Sequence, residues 1–378
     1  MHAISTWLWD VLRAMPPHHA PVIDDPESFR LQILVTPIER GQPPITHAFR
    51  PDAEYFYPAS SIKFLAAAAS LCFIDELRRS GVACDEHTPL VFHPLFADQH
   101  REETDHSNLE GGSITLAHQT RKSLIVSDNA AFNYMYDMLG HRGLNQSIAA
   151  TGLTSCAINH RLSEFRSPQD QVRTRAVDLR TPTGIHQLPA RTSDLWPRST
   201  RVEGLNVGRA YVDAERRIDE PMSFALKNRI SLTDLHRSLL DIARPDLPRI
   251  AGHNGFPLTD QHRALLIEGM TLLPRQSRNP IFASPEHTDD FVKPMLPGLA
   301  RVVRADDVTI TSKIGWAYGF IVENAIVSSR GKDNAFAITA CMFVCRGGVL
   351  NIDEYEYDTV AKPFLADLAE AIARRIGW

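Results

Sequence analysis

The sequence predicts an α/β (α+β) fold: one antiparallel sheet flanked by N- and C-terminal helices, beside an all-helical lobe. Three observations carry that expectation. Strand-like stretches lie near both chain ends, at 29–36 and 46–50 and again between 308 and 344. The middle is patterned as helix, at 60–79, 113–151, 231–242 and 260–273. Residues 64–74 are apolar on every side, and a helix without a wet face is a buried one. The expected organisation is an N-terminal helical extension over 1–23 and a single unit over 24–378. Within that unit an α/β lobe comprises 24–58 and 300–378, and a helical lobe 59–299, with an insertion at about 167–215.

Composition narrows the functions. The chain has 378 residues, of which 43% are hydrophobic and 22% charged, and a net charge of −5. Those values describe a globular protein with no reason to bind nucleic acid or an anionic membrane. No apolar run approaches the 20 or so residues of a membrane span. Five cysteines, odd in number and without zinc-ligand spacing, leave the redox compartment open. Residues 1–19 do not read as a signal peptide, because Asp10 interrupts the apolar Trp7-Leu8-Trp9 and no basic segment precedes it. His93, His100 and His106 share no helix-face spacing, so they read as solvated loop histidines and no metal or cofactor is expected.

In chain order, residues 4–14 form a short amphipathic helix broken at Met15-Pro16-Pro17, and Phe29–Thr36 alternates as a strand with 46–50 as its partner. Pro58 keeps the next helix from starting early, and Gly81 closes it. Residues 85–112 are polar and loop-like. Helices follow at Ile114–Val126, Ala130–Leu139 and Arg142–Ala150, the first two separated by Ser127-Asp128-Asn129, a helix-cap composition. Residues 161–219 read as irregular and arginine-rich, a solvated segment of the kind that often carries function. Ser231 with Asp234 opens a further helix in a capping-box-like pattern, and 260–273 gives another. Val308–Gly315, Phe320–Val327 and Ala335–Val344 are strands, and Phe364, Leu365, Leu368 and Ile372 give the last helix one apolar face.

Ser60-x-x-Lys63 places a hydroxyl and an ammonium on one helix face at the entrance of the buried helix. The spacing alone also fits a capping serine and a snorkelling lysine. Its weight comes from company, because Ser127-Asp128-Asn129 and Lys313-Ile314-Gly315 follow in order. In these three motifs, and in the run Pro58–Phe64, the chain resembles the penicillin-recognising serine hydrolases, especially the class A β-lactamases. The resemblance covers about residues 29–378 and implies a β-lactamase/transpeptidase-like fold, a small-molecule or peptide acyl substrate, a monomer and an extracytoplasmic location.

The chemistry behind the residue types is direct. A serine hydroxyl needs a base in contact with it, and Lys63 is placed to serve if burial and the second cation, Lys313, lower its pKa. Ser127 can pass a proton to the leaving group. Asn129 can hold a substrate amide, and Lys313, with Gly315 beside it, a substrate carboxylate. By resemblance, the backbone N–H groups of Ser60 and Trp316 form the oxyanion hole. Hydrolysis of the acyl-enzyme needs a further base, for which the family uses a glutamate after Ser-Asp-Asn. Glu220, in a Glu-Pro dipeptide shortly before the capped helix at Ser231, is preferred; Glu164, after an Arg-Leu pair, is the alternative. Two departures affect the substrate. Ile314 stands where the family has a hydroxyl residue, and 320–327 carries no arginine and Glu323 as its one charge. A β-lactamase is therefore expected first, a D-alanyl peptidase or an esterase or amidase second, and a non-turnover penicillin-binding sensor third.

Overall fold

The computed structural model describes residues 5–195, 202–249, 252–282 and 287–378. The chain forms two compact units, residues 1–61, 199–248 and 289–378 making one and residues 62–198 and 249–288 the other.

The first unit is built on an antiparallel sheet in the order Val308–Ser312, Phe320–Ser329, Asn334–Phe343, Gln32–Glu39, His47–Phe49, with Gly315–Ala317 paired alongside Phe320–Ser329. Alternation along each strand sorts the side chains to two faces. Ile33, Val35, Ile338 and Ala340 face a cluster with Leu8, Leu12, Phe364, Leu368 and Ile372 of the terminal helices Thr6–Arg13 and Lys362–Arg375. The intervening Thr36 and Thr339 meet the helix Leu232–Ala243 through His236. Its ring nitrogens lie 2.8 Å from each threonine hydroxyl. Ser231 caps that helix by accepting from the Asp234 N–H at 3.1 Å, as the sequence led one to expect. The N-terminal helix thus belongs to the same core as the sheet, since Leu8 and Leu12 are fully buried in it.

The second unit packs helices around Lys63–Arg79, whose residues Phe64–Ala69 have no exposure. Leu116–Ile125, Asn129–Ala150 and Asp260–Thr271 surround it. The alanines permit that close approach. The expected break between Leu139 and Arg142 is a kink inside one helix, where Gly140 takes φ 75°.

One expectation needs correction. The stretch 161–219, of which 196–201 lie outside the described residues, is not irregular over 161–195 and 202–219, and the loop before it is not bare. Leu90–Phe92, Val177–Thr181 and Gly184–Leu188 form a three-stranded sheet, and Arg173–Thr174 pairs with Arg191–Thr192. In the first unit Asn206–Val207 pairs with Met222–Ser223, and Ala210–Asp213 lies between Arg216–Ile218 and Val349–Leu350. These strands are two to five residues long. Most are too short to show a period, and several pair with strands distant in sequence, so local pattern does not reveal them.

Candidate active site

The motif residues divide between the units at the Ser61–Ile62 bond. In the second unit, Lys63 opens the buried helix directly after the 3-10 turn Ala59–Ile62 and has no solvent exposure. A buried ammonium must be satisfied by acceptors. Lys63 Nζ donates to the Ser127 carbonyl, to Asn129 Oδ1 at 2.7 Å and, at 3.3 Å, to Ser127 Oγ. Ser127 adopts φ 64°, a left-handed conformation costly for a serine. The expected capping role is also present. Asp128 Oδ1 accepts from the Ala131 N–H at 2.9 Å and caps Asn129–Ala150. Lys122 Nζ, 2.9 Å from Asp105 and 3.5 Å from Asp128, holds the turn from behind. Burial works against ionised Asp105, but hydrogen bonds from Ser107, Gln119 and Lys122 hold its pKa well below the carboxylate range.

The next loop is tied to this turn. Asn129 Nδ2 donates to Ser163 Oγ at 2.7 Å. One helical turn on, Asn133 Nδ2 donates to the Leu162 carbonyl at 3.0 Å, and Asn133 Oδ1 accepts from the Leu162 N–H at 2.9 Å. Glu164 follows, half-buried, with Oε1 accepting from Arg166 Nε at 2.8 Å and Oε2 lying 3.5 Å from Asn133 Nδ2. The loop is anchored by Arg161, which is 1% exposed and pairs with buried Asp137 at 2.5 Å. Arg175 Nε reaches the other Asp137 oxygen at 2.7 Å. The arginines read as solvated are, at these two positions, a buried anchor. Glu220 is exposed between Arg216–Ile218 and Met222–Ser223, in the first unit.

In the first unit, Ser60 is the one residue between Tyr55 and Cys72 that is not buried. It follows Ala59, which is held at φ 47°. Gly315 lies hard against this turn. A Cβ there would meet Pro58 O and Ser61 N at 2.5 Å and Ser60 N at 2.6 Å, so only glycine lets the strand start here. Trp316 is partly buried, with Phe291 edge-on at 4.7 Å and Lys362 Nζ 4.8 Å from its ring centroid. Ile314 joins the apolar cluster of the sheet. Lys313 is 2% exposed and donates to the Ile314 carbonyl at 2.8 Å. Burial first, then the Lys293 charge, lower its pKa to about 7, against the pull of Glu323.

Lys293 and Glu323 beside it are equally buried. Lys293 had no signal in sequence: it lies on no recognisable periodic face. Glu323 was visible as the lone charge in an apolar strand. Ser163 and Asn133, which tie the Glu164 loop to Asn129, were also unread, because loop contacts leave no pattern.

Residues 46–188 match the model of the β-lactamase enzyme family. No functionally curated protein matches the chain by sequence. Among solved structures, a β-lactamase from Xanthomonas campestris pv. campestris aligns at TM-score 0.52 and 16% identity, over 98% of this chain and 96% of that one. One from Burkholderia vietnamiensis aligns at 0.51 and 14%, over 99% and 97%. The β-lactamase of Streptomyces albus G aligns at 0.50 and 15%, over 94% and 97%. At such identities the likeness establishes a shared fold. The sequence match over 46–188 spans both Ser60-x-x-Lys63 and Ser127-Asp128-Asn129. The resemblance to the class A β-lactamases and their penicillin-recognising relatives is thereby borne out.

Proposed function

We propose, on the premise that this chain has the β-lactamase fold, that it is a serine hydrolase acylated at Ser60, with β-lactam amides as its first substrate class. The observation that carries this is the fully buried Lys63 ammonium, held against both Ser127 and Asn129. The proposal requires Ser60, Lys63, Ser127 and Lys313 to act on one bound substrate.

In this account Ser60 Oγ attacks the acyl carbon and its proton passes to Lys63, which must be in the amine form at that moment. The oxyanion is met by the N–H groups of Ser60 and Trp316, whose close approach the glycine at 315 supports. Ser127 gives its proton to the leaving nitrogen as the acyl C–N bond breaks and regains one from Lys63. Asn129 holds the substrate amide, and Lys313, next to Gly315, faces its anionic end. Glu164 then takes a proton from the water that attacks the acyl carbon, the acyl C–O bond to Ser60 breaks, and that proton returns to Ser60 Oγ. It is preferred over Glu220 because its loop is hydrogen-bonded to Asn129 and Asn133.

A second reading keeps the nucleophile and changes the substrate to a D-alanyl peptide or an ester. It is favoured by Ile314, whose packing in the sheet leaves no hydroxyl donor at the middle of that motif. Work outside the cytoplasm is part of this reading and is supported by the family likeness alone; among the described residues no helix is long and apolar enough to cross a membrane. Steady-state assay of a chromogenic cephalosporin beside D-alanyl peptides and p-nitrophenyl esters tests the proposal. Turnover of the cephalosporin that disappears in Ser60→Ala supports it. Turnover of peptide or ester alone selects the second reading, and turnover unaffected by Ser60→Ala refutes both.

A further inference from the structure

The first unit gathers three side chains of metal-ligating type that the proposed reaction does not use. His18 and His19 lie on the 3-10 turn Pro17–His19, and Asp367 lies on the last helix, Lys362–Arg375. His19 Nε2 stands 2.7 Å, and His18 Nε2 3.5 Å, from the same oxygen, Asp367 Oδ2. One ligand atom from each of the three falls within 4.8 Å of the others, and among the described residues no other His, Cys, Asp and Glu side chains form such a group. Asp367 comes 348 positions after His19, so no spacing rule shows the set in sequence.

An ordinary hydrogen bond accounts for His19, which is 3% exposed and meets the Phe364 ring edge-on at 5.3 Å. It does not account for His18. That side chain is 63% exposed, yet its ring lies 4.0 Å from the His19 ring and turns Nε2 toward the same carboxylate oxygen. Two imidazole nitrogens and a carboxylate oxygen form a donor set that suits zinc. Zinc bonds of about 2.0–2.2 Å put tetrahedral ligand atoms roughly 3.4 Å apart. The separation of His18 from Asp367 is already near that value. The separation of His19 from Asp367 opens by about 0.7 Å when the metal replaces the hydrogen bond.

The outer contacts orient the carboxylate for this role. Arg301 donates to Asp367 Oδ1 and to Glu370 Oε2, and Arg374 Nε donates to Glu370 Oε1 at 2.9 Å. Asp367 is thus held through Oδ1, and Oδ2 faces the two histidines. Glu370 offsets the Arg301 charge that would otherwise oppose a cation. We propose that His18, His19 and Asp367 form a zinc site, with water as the fourth ligand on the exposed His18 side, that clips the 17–19 turn to the last helix. The ion binds only where turn and helix are docked, so it stabilises the docked state by mass action. The site is independent of acyl transfer to Ser60.

The test uses the full chain, freed of metal by dialysis against a chelator, and zinc chloride alone. Isothermal titration calorimetry is expected to show one equivalent bound, and zinc to raise the melting temperature. His18→Gln alters an exposed side chain, a change the fold tolerates. It is expected to weaken binding by about tenfold or more and to remove the thermal shift. Asp367→Asn is expected to act in the same direction. The five cysteines are rival ligands. Cobalt(II) in place of zinc separates the two, because a nitrogen–oxygen site gives visible ligand-field bands without the thiolate charge-transfer band. Binding and thermal shift that both depend on His18, with no thiolate band, support the site. No stoichiometric binding overturns it. So does binding unchanged in His18→Gln, or a thiolate band.

Discussion

A lysine with no solvent exposure needs acceptors for its protons, and Lys63 takes them from Ser127 and Asn129. That single residue joins packing to chemistry, because the same atom is the proposed base for Ser60. Lys63→Met keeps the apolar stem and removes the ammonium. Acylation by a chromogenic cephalosporin, followed by stopped flow, is expected to fall by about 100-fold or more. Acylation at the wild-type rate contradicts the assignment. Glu164→Gln separates the two half-reactions. Acylation persists, hydrolysis slows, and a covalent adduct accumulates in the mass spectrum; accumulation in Glu220→Gln instead restores the other candidate. At this scale the sequence was legible where chemistry is written locally. Ser60 and Lys63 are three apart, and Ser127-Asp128-Asn129 is contiguous. Lys293 was illegible because its meaning comes from strands that return to it through the fold.

Elements fix where these residues stand. The strand that begins at Gly315 starts against the 58–61 turn at a distance that admits no side chain. Gly315→Ala is therefore expected to displace that turn, lowering acylation and the melting temperature together. An active variant with unchanged melting shows that the approach is looser than described. The Glu164 loop depends on the Arg161–Asp137 pair, in which both side chains are buried. Asp137→Ala strands two arginines and is expected to cost about 3 kcal/mol or more in denaturant unfolding. A loss below about 1 kcal/mol places the anchor elsewhere. The long strands 320–329 and 334–343 and the capped helix at Leu232 were readable because their period or cap lies within the element. Val177–Thr181 and Gly184–Leu188, which pair as a short hairpin, were not, since neither strand is long enough to show its period and their third strand, Leu90–Phe92, lies far back in the sequence.

At the scale of the whole molecule, the sheet is covered on both faces, so its polar bridges are sealed in. His236 sits between Thr36 and Thr339 with its pKa lowered by burial to about 3. The folded state resists its protonation, whereas the unfolded chain binds that proton below about pH 6.5. Stability contributed by neutral His236 is thus complete above pH 6.5 and is lost as pH falls toward 3. The slope approaches about 1.4 kcal/mol per pH unit. His236→Gln, compared with the wild type by denaturant unfolding at pH 7 and pH 4, is expected to narrow the gap between the two pH values. An equal gap assigns the acid sensitivity to other groups. One antiparallel sheet with flanking terminal helices was legible from strand signals at both chain ends; the order of its strands was not. Nor was the split into units, because residues 199–248 fall in the unit that holds the sheet although they are distant in sequence from its strands.

The account stands on acyl transfer to Ser60. The most direct measurement is intact-mass spectrometry over time after mixing with a reactive β-lactam, with peptide mapping of any adduct. A transient mass increase of one β-lactam, located on the peptide containing Ser60 and absent in Ser60→Ala, is the predicted result. An adduct on another residue, or no adduct at any time alongside undiminished turnover, would contradict it.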